Sequence, residues 1–506
     1  MPITENILDR KTVNKTETVS SANQYTTLPQ CHSTPSELRV ICAGAGAAGL
    51  LVAYKMKKLF TNYELVCYEK NPHIAGTWYE NRYPGCACDV PAHAYTFSFE
   101  PNPNWSTFYT YGPGIRKYFK DFAAKHELMP HIKLNSRVLS ATWIEEGGMY
   151  EVEVQSDSKS IRDRCHVLVN GTGFFNSKTV TVIGTGSSAI QIIPQIQKTA
   201  KHLVAFMRSA KATSPSSSTT QLLGAQYHFT EEEKRRFRDD PEYHLLYRQK
   251  LESSVNALFD MYIRGSETSK QTEALMRYEM LRRIGPGHEE LKNKENVTTV
   301  HKELVKVVPE GVIDDSGILH KVDILICATG FNLAFAPPFE VRGVNGVTMA
   351  DEFCPEPNVY LALTVPKFPN YFVINGVRGN WVAGTALPSH EVQAKYILKC
   401  AKKIQEESIR AFEHIDAWHK QSVWSAGCKS WYKNNVLGGK LWIWGGSALH
   451  YMKTMKEVKY EHYNIRYRNK NMWAYLGNER VRAEIVQDAG KLAPYMRNSD
   501  VPWTID

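Results

Sequence analysis

The stretch Leu38-Arg39-Val40-Ile41-Cys42-Ala43-Gly44-Ala45-Gly46-Ala47-Ala48-Gly49 decides the fold. A six-residue run, apolar but for Arg39, reads as a buried strand, and the glycine spacing after it opens a helix-like segment. In that setting GxGxxG has a mechanical meaning that it lacks alone. The first glycine makes a tight turn, the second lets backbone approach a pyrophosphate, and the third lets helix pack on strand. Free N–H groups at the helix N-terminus then hold the phosphates. Thr179-Val180-Thr181-Val182-Ile183-Gly184-Thr185-Gly186-Ser187-Ser188-Ala189 repeats the device. Two such units predict an α/β protein with two Rossmann-like dinucleotide-binding domains. Two nucleotides handled together are most simply a bound flavin and a reducing nicotinamide.

The residues that follow each unit separate the two sites. Tyr63-Glu64-Leu65-Val66-Cys67-Tyr68-Glu69 reads as a second strand ending in Glu69, where a carboxylate would bond ribose hydroxyls. Site one is therefore expected to take FAD (or NAD) at Gly44, Gly46, Gly49 and Glu69. The second unit leads to His202-Leu203-Val204-Ala205-Phe206-Met207-Arg208-Ser209, with Lys211 close by. A guanidinium there suits the 2′-phosphate of NADP.

The 506 residues suffice for two or three domains, and 43% hydrophobic with 22% charged residues is ordinary for a globular protein. The net charge of +9 is scattered and no nucleic-acid motif accompanies it, so no nucleic-acid partner is expected; two anionic cofactors use some of that charge. No apolar run approaches the roughly 18 residues of a membrane span, and the N-terminus lacks a signal-peptide pattern. The ten cysteines have no repeating spacing, Cys86-Ala87-Cys88 is the one close pair, and no Cys/His set has zinc spacing. Reduced thiols, no metal site and a cytoplasmic location follow; the oligomeric state stays open.

Along the chain, residues 1–36 are polar and read as a flexible tail. Residues 37–175 form the first part of the FAD-binding domain, and 176–322 the NADP-binding domain with a helical insertion over about 225–294. Residues 323–506 return to the FAD-binding domain. Within this plan, 71–113 is a turn-rich loop suited to lie over a cofactor, 138–165 a small antiparallel meander, and 167–173 a buried strand ending in glycine. Residues 214–220 are a Ser/Thr-rich linker. Thr230-Glu231-Glu232-Glu233 is a capping box. Leu251, Val255, Leu258, Phe259 and Tyr262 make one apolar helix face. Residues 322–331 are predicted to be a second buried, glycine-ended strand.

Gly76-Thr77-Trp78-Tyr79-Glu80-Asn81-Arg82-Tyr83-Pro84-Gly85-Cys86-Ala87-Cys88-Asp89-Val90-Pro91 resembles the flavin-wrapping segment of Baeyer–Villiger monooxygenases. Ala328-Thr329-Gly330-Phe331 resembles their late ATG motif, and Ser430-Trp431-Tyr432-Lys433-Asn434 a C-terminal motif whose tryptophan reaches the nicotinamide nucleotide. The likeness runs from Leu38 to the C-terminus and leans toward fungal enzymes of secondary metabolism, including mycotoxin biosynthesis. It implies an FAD- and NADPH-dependent enzyme that inserts one oxygen of O2 beside a ketone to give an ester or lactone. By resemblance Thr77, Trp78, Tyr79, Glu80, Asp89 and Tyr95 would touch FAD. Ala87, Cys88 and Asp89 would touch NADP, together with Gly184, Gly186, Ser187, Ser188, Ala189, Ile190, Gln191, Arg208, Ser209 and Trp431. Asp89 is the candidate catalytic residue.

Two family features have no counterpart. Gly173 is followed by only Phe174-Phe175-Asn176-Ser177-Lys178 before the strand into Gly184, with no room for the family's FxGxxxHxxxWP/D fingerprint. After Lys292-Asn293-Lys294 the chain passes directly to Glu295-Asn296-Val297, where relatives carry a loop with a catalytic arginine; Arg282 and Arg283 align with the helix before that loop. Asp89, the partner of that arginine in relatives, would lose it in a semi-buried site. Besides oxygen insertion, two readings remain open: an N- or S-oxygenating flavin monooxygenase, and a flavin-binding remnant that no longer turns over. A splice form, a shortened gene model and true loss are all consistent with the gaps.

Overall fold

The computed structural model describes residues 29–157, 159–173, 187–206, 227–262, 266–284, 297–300, 302–327, 336–354, 357–381, 384–414, 442–469, 471, 473–478 and 480–486. Two compact units divide the chain, 1–34 with 469–506, and 35–468.

The larger unit begins with β1 (Leu38–Ala43), α1 (Ala47–Leu59) and β2 (Tyr63–Tyr68). After α2 (Thr77–Glu80) and α3 (Gly112–Lys125) come β3 (Ile132–Lys133), β4 (Ser136–Ile144), β5 (Met149–Ser156), β6 (Lys159–Cys165) and β7 (Val167–Asn170). Strands β1, β2, β3 and β7, with the later β14 (Tyr371–Val373), form one five-stranded parallel sheet in the order β14-β7-β1-β2-β3. Both faces of this sheet are covered, which is why β1 is apolar almost throughout. Leu38, Val40 and Cys42 face α1 and α3 through Leu50, Leu51, Ile115, Phe119 and Phe122. Ile41 and Ala43 face the other way, onto Val138, Ala141, Tyr150 and Val152. Those four residues belong to the antiparallel meander β4-β5-β6, which has the expected extent and turn.

The crossing between β1, α1 and β7 explains the glycines. Gly44 has φ +98°, a left-handed conformation that disfavours a side chain, and a Cβ there would lie 3.1 Å from the carbonyl oxygen of Gly171. A Cβ at Gly49 would lie 2.1 Å from the carbonyl oxygen of Gly44, so α1 reaches its seat on β1 only with glycine at this position.

Next come α4 (Ser187–Ile196), β8 (Leu203–Phe206), α5 (Glu231–Asp239), α6 (Pro241–Asn256), α7 (Glu267–Ile284) and β9 (Val297–Val300). Strands β8 and β9 pair in parallel, outside the five-stranded sheet. The expected strand at 179–183 and the linker at 214–220 lie outside the described residues. Thr230 caps α5 reciprocally with Glu233, as the sequence predicted. The expected apolar face through Tyr262 is not one helix: α6 ends at Asn256 and the chain tightens to a 3-10 turn over Ala257–Tyr262. Leu251 packs on the main core, and Val255 and Phe259 are only half-buried. The side chains of Leu258 and Tyr262 lie outside the described residues. The face of α6 that docks is mixed instead, as shown below.

The remaining strands are β10 (Leu304–Val308), β11 (Gly311–Asp314) and β12 (Leu319–Lys321), an antiparallel sheet, and β13 (Glu340–Arg342), which extends the meander alongside β4. Helix α8 (Met349–Glu352) precedes β14, and α9 (Ala386–Glu406) packs through Ala394, Ile397 and Ala401 into the same core as α1. A two-stranded sheet of β15 (Ile409–His414) and β16 (Tyr463–Tyr467), with α10 (Ala448–Thr454) between them, completes this unit.

Two expectations fail here. Residues 322–327 form no strand, and Ile324 is 80% exposed. Apolar β-branched composition marks a strand only when a neighbour supplies the ladder, and among the described residues none does; 328–331 lie outside them. The tail is also not loose throughout. In the smaller unit the His32 and Ser33 amides donate to the carbonyls of Arg480 and Tyr475 (2.9 and 2.8 Å), and Asn478 donates to Gln30 (2.9 Å). Those partners lie far along the chain, where a local reading of polarity could not find them. Helix α11 (Arg482–Val486) belongs to this unit. Among the described residues no helix is long and apolar enough to cross a membrane.

Replacing Gly49 by alanine is expected to destabilise the protein by about 1–3 kcal/mol, the usual range for overpacking. The urea midpoint should fall with the slope unchanged. Gly147→Ala, where a Cβ would meet only Met149 Cγ at 4.0 Å, should leave the midpoint in place.

Candidate cofactor and active site

The site is built on the turn between β1 and α1. Helix α1 has no side-chain cap and no acidic residue in its first turn, so its leading N–H groups are available to an anion. Its N-cap Gly46 faces the backbone of Gly76: a Cβ on Gly46 would stand 3.5 Å from Gly76 Cα, and one on Gly76 3.1 Å from Gly46 Cα. Gly76, at φ +47°, turns the chain into α2. Two side-chain-free backbones thus border the helix N-terminus, a cradle that a Cβ would narrow. These features suit the pyrophosphate of a dinucleotide.

Glu69 sits where the sequence put it, directly after β2, and is only 3% exposed. Its Oε2 accepts the Ala45 amide at 2.8 Å; its Oε1 accepts the Asn71 amide at 3.0 Å and Asn71 Nδ2 at 2.8 Å. Burial raises the carboxyl above its ordinary range, against these donors, which lower it. The carboxylate therefore holds the glycine turn itself. Asn71 carries the contact on to Glu80 at the end of α2 (2.7 Å), and Lys70 pairs with the same oxygen at 2.8 Å.

Helix α2 presents Trp78, whose Nε1 donates to Tyr95 Oη at 3.2 Å, the rings meeting edge-on at 5.7 Å. Tyr79 lies under two guanidiniums, Arg82 at 4.3 Å and Arg116 at 4.8 Å from its ring centre. Arg116 has a buried Nε without a hydrogen-bond partner. Sequence reasoning missed it, because nothing in α3 sets it apart from a solvated helix residue.

The segment Cys86-Ala87-Cys88 is extended, with Ala87 bridged to Tyr111. Successive side chains of an extended chain point to opposite sides, so Cys86 and Cys88 are not placed to pair, and both are free. Gln191 of α4 meets this segment: its Nε2 donates to the Ala87 carbonyl at 3.0 Å and its Oε1 accepts Tyr83 Oη at 3.0 Å. Ser188 Oγ donates to Tyr83 at 3.4 Å, and Ala189 is buried. Ala87, Cys88, Ser188, Ala189 and Gln191 are thus brought together. Ser187 and Ile190 are on α4, their side chains outside the described residues. Gly184, Gly186, Arg208, Ser209 and Trp431 lie outside the described residues entirely.

Asp89 corrects an expectation. It is exposed rather than semi-buried, and makes no hydrogen bond or ion pair with any described residue. Arg282 and Arg283 lie on α7, their side chains outside the described residues.

A second group of polar residues sits just after the 76–91 segment, at His93. His93 Nδ1 and His244 Nε2 of α6 share a hydrogen bond at 2.8 Å, both rings buried, with Phe229, Phe237 and Tyr247 around His93. Four residues on from His244, Arg248 donates to the carbonyls of His93, Phe97 and Ser98 and to Thr96 Oγ1, all within 3.1–3.2 Å. Glu252, a further four on, accepts Thr385 N at 3.2 Å and Oγ1 at 2.9 Å at the start of α9. The i, i+4, i+8 spacing was visible in the sequence, hidden by the search for an apolar stripe.

Residues 42–111 match the model of an NAD(P)-binding Rossmann-like domain. The FAD-binding monooxygenase tazF of Aspergillus terreus is 34% identical, over 92% of this chain and 95% of that protein. The chain belongs to the FAD-binding monooxygenase family. A protein named Baeyer-Villiger monooxygenase, from Pseudomonas aeruginosa, is 26% identical over 84% of this chain and 91% of its own length. The closed crystal structure of cyclohexanone monooxygenase shares the fold, with a TM-score of 0.69 at 21% identity over 86% of this chain and all of that one. The tazF alignment is 535 positions long yet takes in 92% of 506 residues, about 466, which leaves about 70 positions facing gaps on this side. The Pseudomonas alignment leaves a similar excess, 499 positions against about 425 residues.

The histidine pair sets a pH dependence. Burial pulls His93 down to about 3, helped by His244 and Arg248, and pulls His244 down to about 4, helped by Arg248. In the unfolded chain both take up protons near 6.5; in the fold they stay neutral until far lower pH. Stability is therefore expected to be level above about pH 6.5. It should decline as pH falls toward 4, by up to about 1.4 kcal/mol per pH unit for each histidine. Urea titrations at stepped pH measure this; His244→Gln should make the decline shallower.

Proposed function

We propose that this chain binds FAD at the β1–α1 turn and NADPH at the unit that α4 opens, and descends from enzymes that insert one oxygen of O2 beside a ketone carbonyl. The balanced reaction is ketone + O2 + NADPH + H⁺ giving ester or lactone, NADP⁺ and water. The observation that carries the reading is the cradle of Gly46 and Gly76 at the uncapped N-terminus of α1, in a chain matched along most of its length to FAD-binding monooxygenases.

In this reading FAD, once reduced by NADPH, supplies the activation of O2. The chain supplies the rest. Gly44, Gly46, Gly49 and the α1 N-terminus hold the pyrophosphate, and Glu69 fixes that turn. Thr77, Trp78, Tyr79, Glu80, Asp89 and Tyr95 line the flavin. Ala87, Cys88 and Asp89, with the 184–191 segment, Arg208, Ser209 and Trp431, serve NADP. The FAD domain comprises 37–175 and 323–506, the NADP domain 176–322. The protein works in the cytoplasm on a small ketone of fungal, polyketide-type metabolism.

A second reading concerns this chain as it stands, and the exposure of Asp89 with about 70 unmatched alignment positions favours it. Without the catalytic arginine's loop and the fingerprint between the nucleotide units, NADPH oxidation runs to hydrogen peroxide (NADPH + H⁺ + O2 giving NADP⁺ + H2O2). Loss of one anion-stabilising donor costs about 10²–10³ in rate, and misalignment of the two cofactors about 10² more.

Purified protein is expected to be yellow, and Gly46→Asp, which fills the cradle, to be colourless. In an assay with NADPH, ¹⁸O2 and a panel of ketones, sulfides and amines, the chain should release H2O2 and little labelled ester. A version with both segments restored from a relative should form ester at least 10²-fold faster. Equal, coupled ester formation by both would refute the second reading; labelled sulfoxide or N-oxide without ester would refute the first.

A further inference from the structure

We propose that Arg248 is a positioning residue for the flavin site: it fastens the 93–98 loop from outside and so fixes Tyr95, the partner of Trp78. The inference rests on the reading above that Trp78 and Tyr95 lie against FAD. The loop has almost no regular structure of its own. Its carbonyls at His93, Phe97 and Ser98 all accept from one guanidinium, whose Nη2 also donates to Thr96 Oγ1. These acceptors flank Tyr95 on both sides in sequence. A planar fork with five donors can satisfy several divergent acceptors at once; an ammonium with three cannot reproduce that geometry.

At the near end His93 also shares a hydrogen bond with His244 of α6 (2.8 Å), and two further fastenings act at the far end. Ser98 donates to Glu391 of α9 from N (2.6 Å) and Oγ (2.5 Å), and the Phe97 amide donates to Tyr118 Oη (2.9 Å). Among the described residues, Arg248 alone joins both ends of the loop, from His93 to Ser98. Helix α6 is held independently at its other end by Glu252 on Thr385. Loss of Arg248 therefore loosens the loop around Tyr95, while His93 keeps its bond to His244 and α6 keeps an attachment.

The test compares wild type, Arg248→Lys, Arg248→Met, Tyr95→Phe and, as a control for α6 docking, Glu252→Gln. Hydrogen exchange without FAD should speed at least tenfold across residues 93–98 in both Arg248 variants, with β1 and α1 unchanged. With FAD, Arg248→Met should raise the dissociation constant at least tenfold and brighten the bound flavin, since displaced aromatic rings quench it less. Tyr95→Phe should brighten it too, and the double variant should be no brighter than the stronger single one. Millimolar guanidinium should restore Arg248→Met. Glu252→Gln should lower the melting temperature and leave the flavin signal alone. Unchanged exchange at 93–98 in Arg248→Lys, or wild-type flavin emission in Arg248→Met, overturns the proposal. If wild type itself takes up no FAD, the reading of the site falls, and the inference with it.

Discussion

Everything in the larger unit depends on how closely backbones approach one another around the β1–α1 turn. Gly44 passes under Gly171 just after β7, α1 rests on the Gly44 carbonyl through Gly49, and Gly46 meets Gly76 where the 76–91 segment begins. A side chain would clash at Gly49 and be strained or crowded at Gly44 and Gly76, so the helix seats low on the sheet with its N-terminus open. The buried Glu69 carboxylate then holds the turn through the Ala45 amide and reaches α2 through Asn71. Sheet, turn and the start of the 76–91 segment are in this way one hydrogen-bonded assembly.

The sequence was legible where local pattern and burial agree. Strands β1 and β7 are buried on both faces almost throughout, and their largely apolar runs announce that, while β2 buries mainly its second half. The meander alternates, and the capping box at Thr230 carries its own chemistry. It was less legible where an outcome depends on a distant partner. Residues 322–327 have the composition of a strand yet carry a single bridge position, Cys327, among the described residues, and residues 30–33 look like tail until Tyr475, Asn478 and Arg480 provide hydrogen bonds. Helix α6 docks through a mixed face, with His244 buried and Arg248 and Glu252 half-buried beside Tyr243, Tyr247 and Leu251, which an apolar stripe alone does not reveal.

The candidate site divides the same way. Glycine spacing pointed to the turn that Gly46 and Gly76 border, and the resemblance singled out Trp78, Tyr95, Ala87 and Gln191, though not the Trp78–Tyr95 and Ala87–Gln191 contacts the structure shows. Neither could foresee that Glu69 turns its carboxylate inward, or that Asp89 is exposed, since side-chain direction in loops is not written in spacing. Membership of the FAD-binding monooxygenase family gives those residues a context, while about 70 unmatched alignment positions bear on what this chain can still catalyse.

Whether the cradle between Gly46 and Gly76 at the α1 N-terminus holds the FAD pyrophosphate is decided by a crystal structure of the FAD-loaded protein. Pyrophosphate oxygens are expected within hydrogen-bond distance of the first N–H groups of α1, with Glu69 still bound to Ala45. Pyrophosphate density elsewhere, with the α1 N-terminus occupied by water alone, would contradict that expectation.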